Sequence, residues 1–261
     1  MDQIFTQNRD RWNALAQANI EYSKPFLEFT QTDAEAYIYR YGILPDVSSK
    51  KVLCLASGGG QDSVAFGLLG AQVTVVDLSD VQLERDRQGA AHHNLNIETI
   101  QGDMRDLSFL PKNQFDLVWQ AYSINFIPDV AQVIKEVSRV LKPGGYYYLQ
   151  FANPFVMSVA DEGWNGKAYS LLHNYLDGED LTIYYPHWDV ALPDGTQVKL
   201  DSPHEFRHTL STVLNTQVHY GFRLLHLQEW MKTDQNPEPG SWAHFTQIAP
   251  PWFDSLWQLE K

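Results

Sequence analysis

Ser57-Gly58-Gly59-Gly60 stands in the first quarter of this chain, and Asp77 follows about twenty residues beyond the turn's start. Glycines at such a place let the backbone bend sharply and bring a ligand against bare main chain. A carboxylate at that distance can accept hydrogen bonds from a ribose. The pair therefore predicts a nucleoside site. It departs from the dinucleotide fingerprint G-x-G-x-x-G, because Gly58 and Gly60 fit but Ser63 takes the third glycine's place. No G-K-[ST] follows, which excludes a phosphate-cradling P-loop.

The flanking segments read as the elements that must hold these groups. Val52 to Leu55 is a short apolar run, as in a strand covered on both faces. A helix through Val64, Ala65, Leu68 and Leu69, capped by Asp62 or Ser63, ends at Gly70. Val73, Val75 and Val76 make a second strand with Asp77 at its carboxyl end. Val81 to Asn94 is the next helix, with Ser79 and Gln82 at capping-box spacing. Strands follow over Ile97–Gln101 and Phe115–Gln120. Asp129 caps a helix whose Val130, Val133, Ile134, Val137 and Leu141 face inward. Lys142-Pro143-Gly144-Gly145 turns that helix into a fifth strand. In such an open sheet, ligands bind beyond the carboxyl ends of the strands.

Four segments in this order resemble the class I S-adenosylmethionine-dependent methyltransferases: Lys51–Ser79, Gly102-Asp103-Met104, Phe115–Asp129 and Glu136–Phe151. The resemblance implies a doubly wound α/β fold with a mostly parallel seven-stranded sheet and an antiparallel last strand. It implies S-adenosylmethionine as cofactor and methyl transfer to a small molecule by in-line displacement. Carried over residue by residue, it places Ala56, Ser57, Gly58, Gly60, Asp77, Leu78, Gln82, Asp103, Met104 and Gln120 around that cofactor, with Asp103 at the adenine amino group. The family usually has an acidic residue where this chain has Cys54, and Gly-Cys-Gly-x-Gly where it has Ala56-Ser57-Gly58-Gly59-Gly60. A carboxylate at position 54 would help orient the methionine end; without it the backbone of Ala56 to Gly60 carries more of that contact. Two alternatives stand beside this reading: a non-catalytic cofactor- or partner-binding protein, and a nicotinamide-dependent oxidoreductase on a related sheet.

The resemblance spans about a hundred residues, and the rest of the chain must supply substrate choice. Residues 1–45 are expected to form a helical lid, helical through much of Asp2–Tyr41, with Trp12 or Tyr22 able to touch substrate or cofactor. Residues 46–261 are then the main domain, with a cap inserted at about 153–203. Within it Leu181–Leu192 and Gln197–Leu200 predict a hairpin around Asp194-Gly195. Trp119 and Tyr122, at the end of the fourth strand, and Trp164, Tyr184 and Trp188 of the cap are, with Tyr22, the expected substrate contacts. His208 is the expected base, at the start of a helix over Glu205–His219, with Tyr122 second. Thr233–Pro251 reads as a loop, and Gly221–Trp230 and Trp252–Leu259 as closing strands.

Composition narrows the partners. Nineteen basic against 32 acidic residues, a net charge of −13, oppose binding to nucleic acid. A single cysteine excludes an internal disulfide framework, and the adjacent His92 and His93 point apart on a helix, so no metal is expected. No apolar run approaches a membrane span, and the first residues lack a signal-peptide core, so a cytoplasmic location is expected.

Overall fold

The computed structural model describes residues 3–20, 23–159, 163–192 and 195–260. Helices α1 (Gln3–Gln17) and α2 (Gln31–Ile38) lead the chain. Then strands and helices alternate: β1 (Lys51–Leu55), α3 (Asp62–Leu68), β2 (Gln72–Asp77), α4 (Asp80–His93), β3 (Ile97–Gln101), β4 (Phe115–Gln120), α5 (Val130–Val140) and β5 (Leu141–Ala152). An insertion carries β6 (Glu179–Asp180), β7 (His187–Ala191), β8 (Gln197–Asp201) and β9 (Phe206–Arg207). The chain closes with α6 (Leu210–His219), β10 (Phe222–Trp230), α7 (Trp242–Ile248) and β11 (Trp252–Leu259).

Seven strands form one sheet in the order β10-β11-β5-β4-β1-β2-β3. β1 pairs in parallel with β2 and β4, β2 with β3, and β4 with β5. β11 runs antiparallel between β5 and β10, as the resemblance implies. Strand order reverses between β1 and β4, and the crevice beyond their carboxyl ends is where a ligand belongs.

Side-chain alternation explains the apolar strands. Leu53 and Leu55 point to one face, where Val133, Ile134 and Val137 of α5 cover them. Val52 and Cys54 point to the other, against Phe66 of α3. Both faces are buried, so β1 reads as an unbroken apolar run. The same alternation sends Leu117 and Trp119 of β4 to the α3 side. α2 joins that side through Ala34 and Ile38.

Local structure departs from expectation in five places. Leu141, expected on the inward face of the helix capped by Asp129, is extended instead and opens β5, so that Lys142–Gly145 belong to the strand and not to a turn before it. The expected helix over Glu205–His219 begins only at Leu210, because Phe206 and Arg207 pair with β6 and Thr209 is the cap. α7 occupies part of the expected loop Thr233–Pro251, capped by Ser241. The helical run over Asp2–Tyr41 is two helices; α2 starts at a capping box made by Thr30 and Asp33. α3 has Gln61 at its cap with no side-chain hydrogen bond there, because Asp62 and Ser63 are engaged elsewhere.

The expected hairpin forms from β7 and β8, antiparallel from His187–Asp201 to Ala191–Gln197; Asp194 lies outside the described residues. Trp188, Val190, Val198 and Leu200 of this ribbon pack on Trp12, Leu15 and Ile20 in a small core of their own. α1 is also pinned by Asn8, whose amide donates to the Phe126 carbonyl at 2.8 Å and whose oxygen accepts from the His204 N–H at 2.6 Å. Trp12 of the helix and Trp188 of the ribbon meet edge to face, their ring centroids 6.0 Å apart. Among the described residues no helix is long and apolar enough to cross a membrane.

Candidate cofactor and acceptor site

The glycine turn is shaped by two carboxylates. Asp77 Oδ2 accepts from the Gly58 N–H at 2.9 Å and Oδ1 from the Ser79 N–H at 2.8 Å. Asp86 of α4 accepts from the N–H groups of Gly59 (3.1 Å) and Gly60 (3.2 Å) and from the Ser63 hydroxyl (2.5 Å). Burial raises the pKa of Asp77 to about 6 and that of Asp86 to about 7. Ala56 sits in the left-handed region at φ +48°, where a glycine would be unstrained.

The turn opens into a cavity of about 530 Å³. One part is walled by Ala56, Ser57, Gly58, Asp77, Leu78, Gln82 and Met104. Another is walled by the rings of Trp12, Tyr122, Phe126, Trp188 and Trp252. Tyr37, Gln61 and Asp62 line it as well, with Ala121, Ser123 and Gln150. The volume is within the range of about 300–1,000 Å³ usual for small-molecule sites.

Residues 53–149 match the family model described as a methyltransferase domain. Over 180 residues, 68% of this chain and 68% of the other, the sequence is 36% identical to the uncharacterized methyltransferase YbaJ of Bacillus subtilis (strain 168). This chain belongs to the class I S-adenosylmethionine-dependent methyltransferases. A ubiquinone biosynthesis O-methyltransferase of Xanthomonas oryzae pv. oryzae (strain PXO99A) is 30% identical over 183 residues, 67% of this chain and 75% of that one. The fold is that of an S-adenosylmethionine-dependent methyltransferase from Mesorhizobium loti, at a TM-score of 0.62 and 24% identity, covering 86% of this chain and 97% of that one.

The methyltransferase's cavity fits its cofactor on its own evidence. A Cβ built on Gly58 would stand 2.7 Å from Gln82 Cβ and 3.0 Å from Asp77 Oδ2, so only glycine leaves the backbone bare there. Among the described residues, Ser57 Oγ and Gln82 Oε1 are buried with no hydrogen-bond partner, two polar atoms that a polar ligand can satisfy. Ala56, Ser57, Gly58, Asp77, Leu78, Gln82 and Met104 thus come together, as do Tyr122, Trp188 and Trp12.

Other expected site residues lie elsewhere. Gly60 does not reach the cavity wall; a Cβ there would meet the Arg85 carbonyl at 2.6 Å, so this glycine lets the turn approach α4. Asp103 is drawn back by Arg105, whose guanidinium holds it at 2.6 Å. Gln120 is fully buried beneath the wall, donating to Ser123 and accepting from Tyr147. Trp119 is core, stacked on Tyr148 at 3.6 Å, because its place in the strand's alternation faces α3. Trp164 packs on His244 and Tyr184 stacks on His173, both away from the crevice. His208, the expected base, is buried with Nε2 at 2.9 Å from the Ile127 carbonyl, and burial lowers its pKa, which keeps it neutral. Tyr22 lies outside the described residues.

The sequence reading missed several residues in or behind the cavity wall, among them Asp62, Tyr37, Phe126 and Trp252 in the wall and Asp86 and Glu205 behind it. Asp86 had a legible signal, since Gln82, Asp86 and Gly89 share the buried stripe of α4 and a carboxylate within such a stripe needs donors. Glu205 gives none, because only the fold brings it to Tyr122, whose hydroxyl donates to it.

Proposed function

We propose that this methyltransferase acts on a small, largely apolar or aromatic acceptor lodged among Trp12, Phe126, Trp188 and Trp252. The observation that carries this is the continuity of one cavity from the glycine turn and Asp77 to those rings, with Trp12 from α1 and Trp188 from β7 among them. Such an enclosure suits a compact molecule better than a polymer, and the net charge of −13 disfavours a polyanion. The relative named for ubiquinone biosynthesis supports a small acceptor.

S-adenosylmethionine supplies a methyl group already activated on a sulfonium. Ala56, Ser57, Gly58, Asp77, Leu78, Gln82 and Met104 are the residues proposed to hold it, with the Asp77 carboxylate at the ribose. An adenine contact from Asp103 requires the Arg105 pair to open. The aromatic wall orients the acceptor and excludes water; positioning of this kind contributes on the order of 7 kcal/mol. Where the acceptor atom carries a proton, Tyr122 Oη takes it and passes its own to Glu205. Burial raises the Glu205 pKa, which makes it a better proton acceptor than an ordinary carboxylate. Tyr122 has φ +25°, a strained backbone for a non-glycine residue and in keeping with a functional position.

The test is release of S-adenosylhomocysteine from labelled cofactor with separate panels of phenols, carboxylic acids, thiols, amines, tRNA and protein. Turnover is expected in a small-molecule panel, with a raised KM in Trp188→Ala and unchanged S-adenosylhomocysteine affinity. Turnover only with tRNA or protein would overturn the acceptor class. Tight cofactor binding without turnover in any panel would favour a non-catalytic binder.

A further inference from the structure

We infer that Asp62 binds the ammonium group at the amino-acid end of the cofactor, a duty that Cys54 cannot perform from β1. The inference rests on the reading of this cavity as the S-adenosylmethionine site. Two carboxylates line the cavity, Asp77 and Asp62. Asp77 stands with Leu78 and Met104, the residues assigned to the nucleoside. Asp62 opens α3 directly after the glycine turn and is hydrogen-bonded to Tyr37, which lines the cavity with it.

Asp62 is only 5% exposed. The Tyr37 hydroxyl donates to Oδ1 at 2.9 Å, and among the described residues Asp62 makes no ion pair. The Arg40 guanidinium, whose charge reaches Asp62, makes its own ion pair with Asp254 at 3.6 Å, donates to the Tyr148 hydroxyl and lies over the Tyr37, Tyr41, Trp119 and Tyr148 rings, so it does not contact Asp62 directly. A carboxylate so withdrawn from water is costly unless a cation or several donors face it. Burial accordingly raises its pKa to about 6, and the Tyr37 hydrogen bond, the Arg40 charge and the Trp119 side chain offset only part of that.

The location matches the chemistry. Asp62 lies close enough to the buried Cys54 side chain to raise the thiol's pKa, after burial itself. The charge that the resemblance expects at the end of β1 therefore reaches the same neighbourhood from α3. A ligand with adenosine at one end and an α-amino acid at the other brings an ammonium to an anion that makes no direct ion pair among the described residues. Tyr37 is a positioning residue, holding the carboxylate toward the cavity.

Calorimetric titration with three ligands tests this: S-adenosylhomocysteine, its deaminated analogue, and 5′-methylthioadenosine, which has no amino-acid end. In the native protein, loss of the ammonium should weaken binding about tenfold or more, the weight of a hydrogen bond to a charged group. In Asp62→Asn that difference should vanish, with 5′-methylthioadenosine affinity unchanged. Asp77→Asn should weaken all three ligands. If the native protein does not distinguish the deaminated analogue, or if Asp62→Asn weakens all three equally, the assignment of Asp62 is wrong and the cofactor site stands. If the native protein binds none of the three, the cofactor site itself is wrong. Should Asp62→Asn not fold, Tyr37→Phe replaces it, and a reduced ammonium preference is the supporting result.

Discussion

The Asp86 carboxylate accepts a hydrogen bond from the main-chain N–H of Gly59 at 3.1 Å, although one residue lies within helix α4 and the other in the turn after β1. With Gly60 and Ser63 as further donors, the helix sets the shape of the turn. Removing the carboxylate leaves three buried donors without partners. Asp86→Ala should destabilise the protein by about 3 kcal/mol and abolish S-adenosylhomocysteine binding, whereas Asp86→Asn should lose less of both. Denaturant melts and calorimetry measure the two effects.

Ala56 makes the opposite point, since its left-handed backbone is strained for any residue with a Cβ. Ala56→Gly should stabilise the fold by about 1 kcal/mol, less the entropy that glycine gains in the unfolded chain. A melting temperature raised by up to about 2–4 °C, with cofactor affinity retained, is the expected result.

Acidity should act in opposite directions on folding and on binding. Asp77 and Asp86 have folded pKa values of about 6 and 7, above the ordinary 3.8, so at intermediate pH the folded chain holds protons that the unfolded chain has lost. Their contribution to stability is full below about 4 and is lost as pH rises through the folded values. Ligand-free melts should therefore show stability falling between about pH 4 and 7, with a flatter curve in Asp86→Asn. S-adenosylhomocysteine binding should instead strengthen over that range, because Asp77 and Asp62, both near 6, become anions. A binding constant that weakens with rising pH would contradict the roles given to these two carboxylates.

Tyr122 and Glu205 are joined by a hydrogen bond that only a proton-bearing acceptor should need. Once a substrate is in hand, Tyr122→Phe should lower kcat by about a hundredfold or more if the acceptor atom carries a proton, with S-adenosylhomocysteine affinity unchanged. Equal losses in kcat and in S-adenosylhomocysteine affinity would point to a collapsed wall instead of a lost proton path.

Much of the scaffold was legible in the residues alone. The apolar runs at Val52–Leu55 and Val73–Val76, the glycine turn and Asp77 are local signals, each interpretable from its neighbours, and they led to the sheet now observed. The α5 stripe was equally plain, because helical spacing encodes which face is buried. Substrate contacts were harder. Trp119 and Trp188 are both tryptophans near expected strand positions, yet one lies against Tyr148 in the core and the other lines the cavity.

What the sequence by itself determined, then, is the α/β scaffold and the glycine turn with Asp77 at the carboxyl end of β2, since strand, turn and carboxylate follow one another along the chain. Tertiary structure alone decided which rings line the cavity, that His208 is sealed against the Ile127 carbonyl, and that the Asp62 and Glu205 carboxyl groups are withdrawn from water beside Tyr37 and Tyr122. Those facts depend on contacts between distant segments, such as Tyr37 with Asp62 and Tyr122 with Glu205, whose geometry no local spacing records.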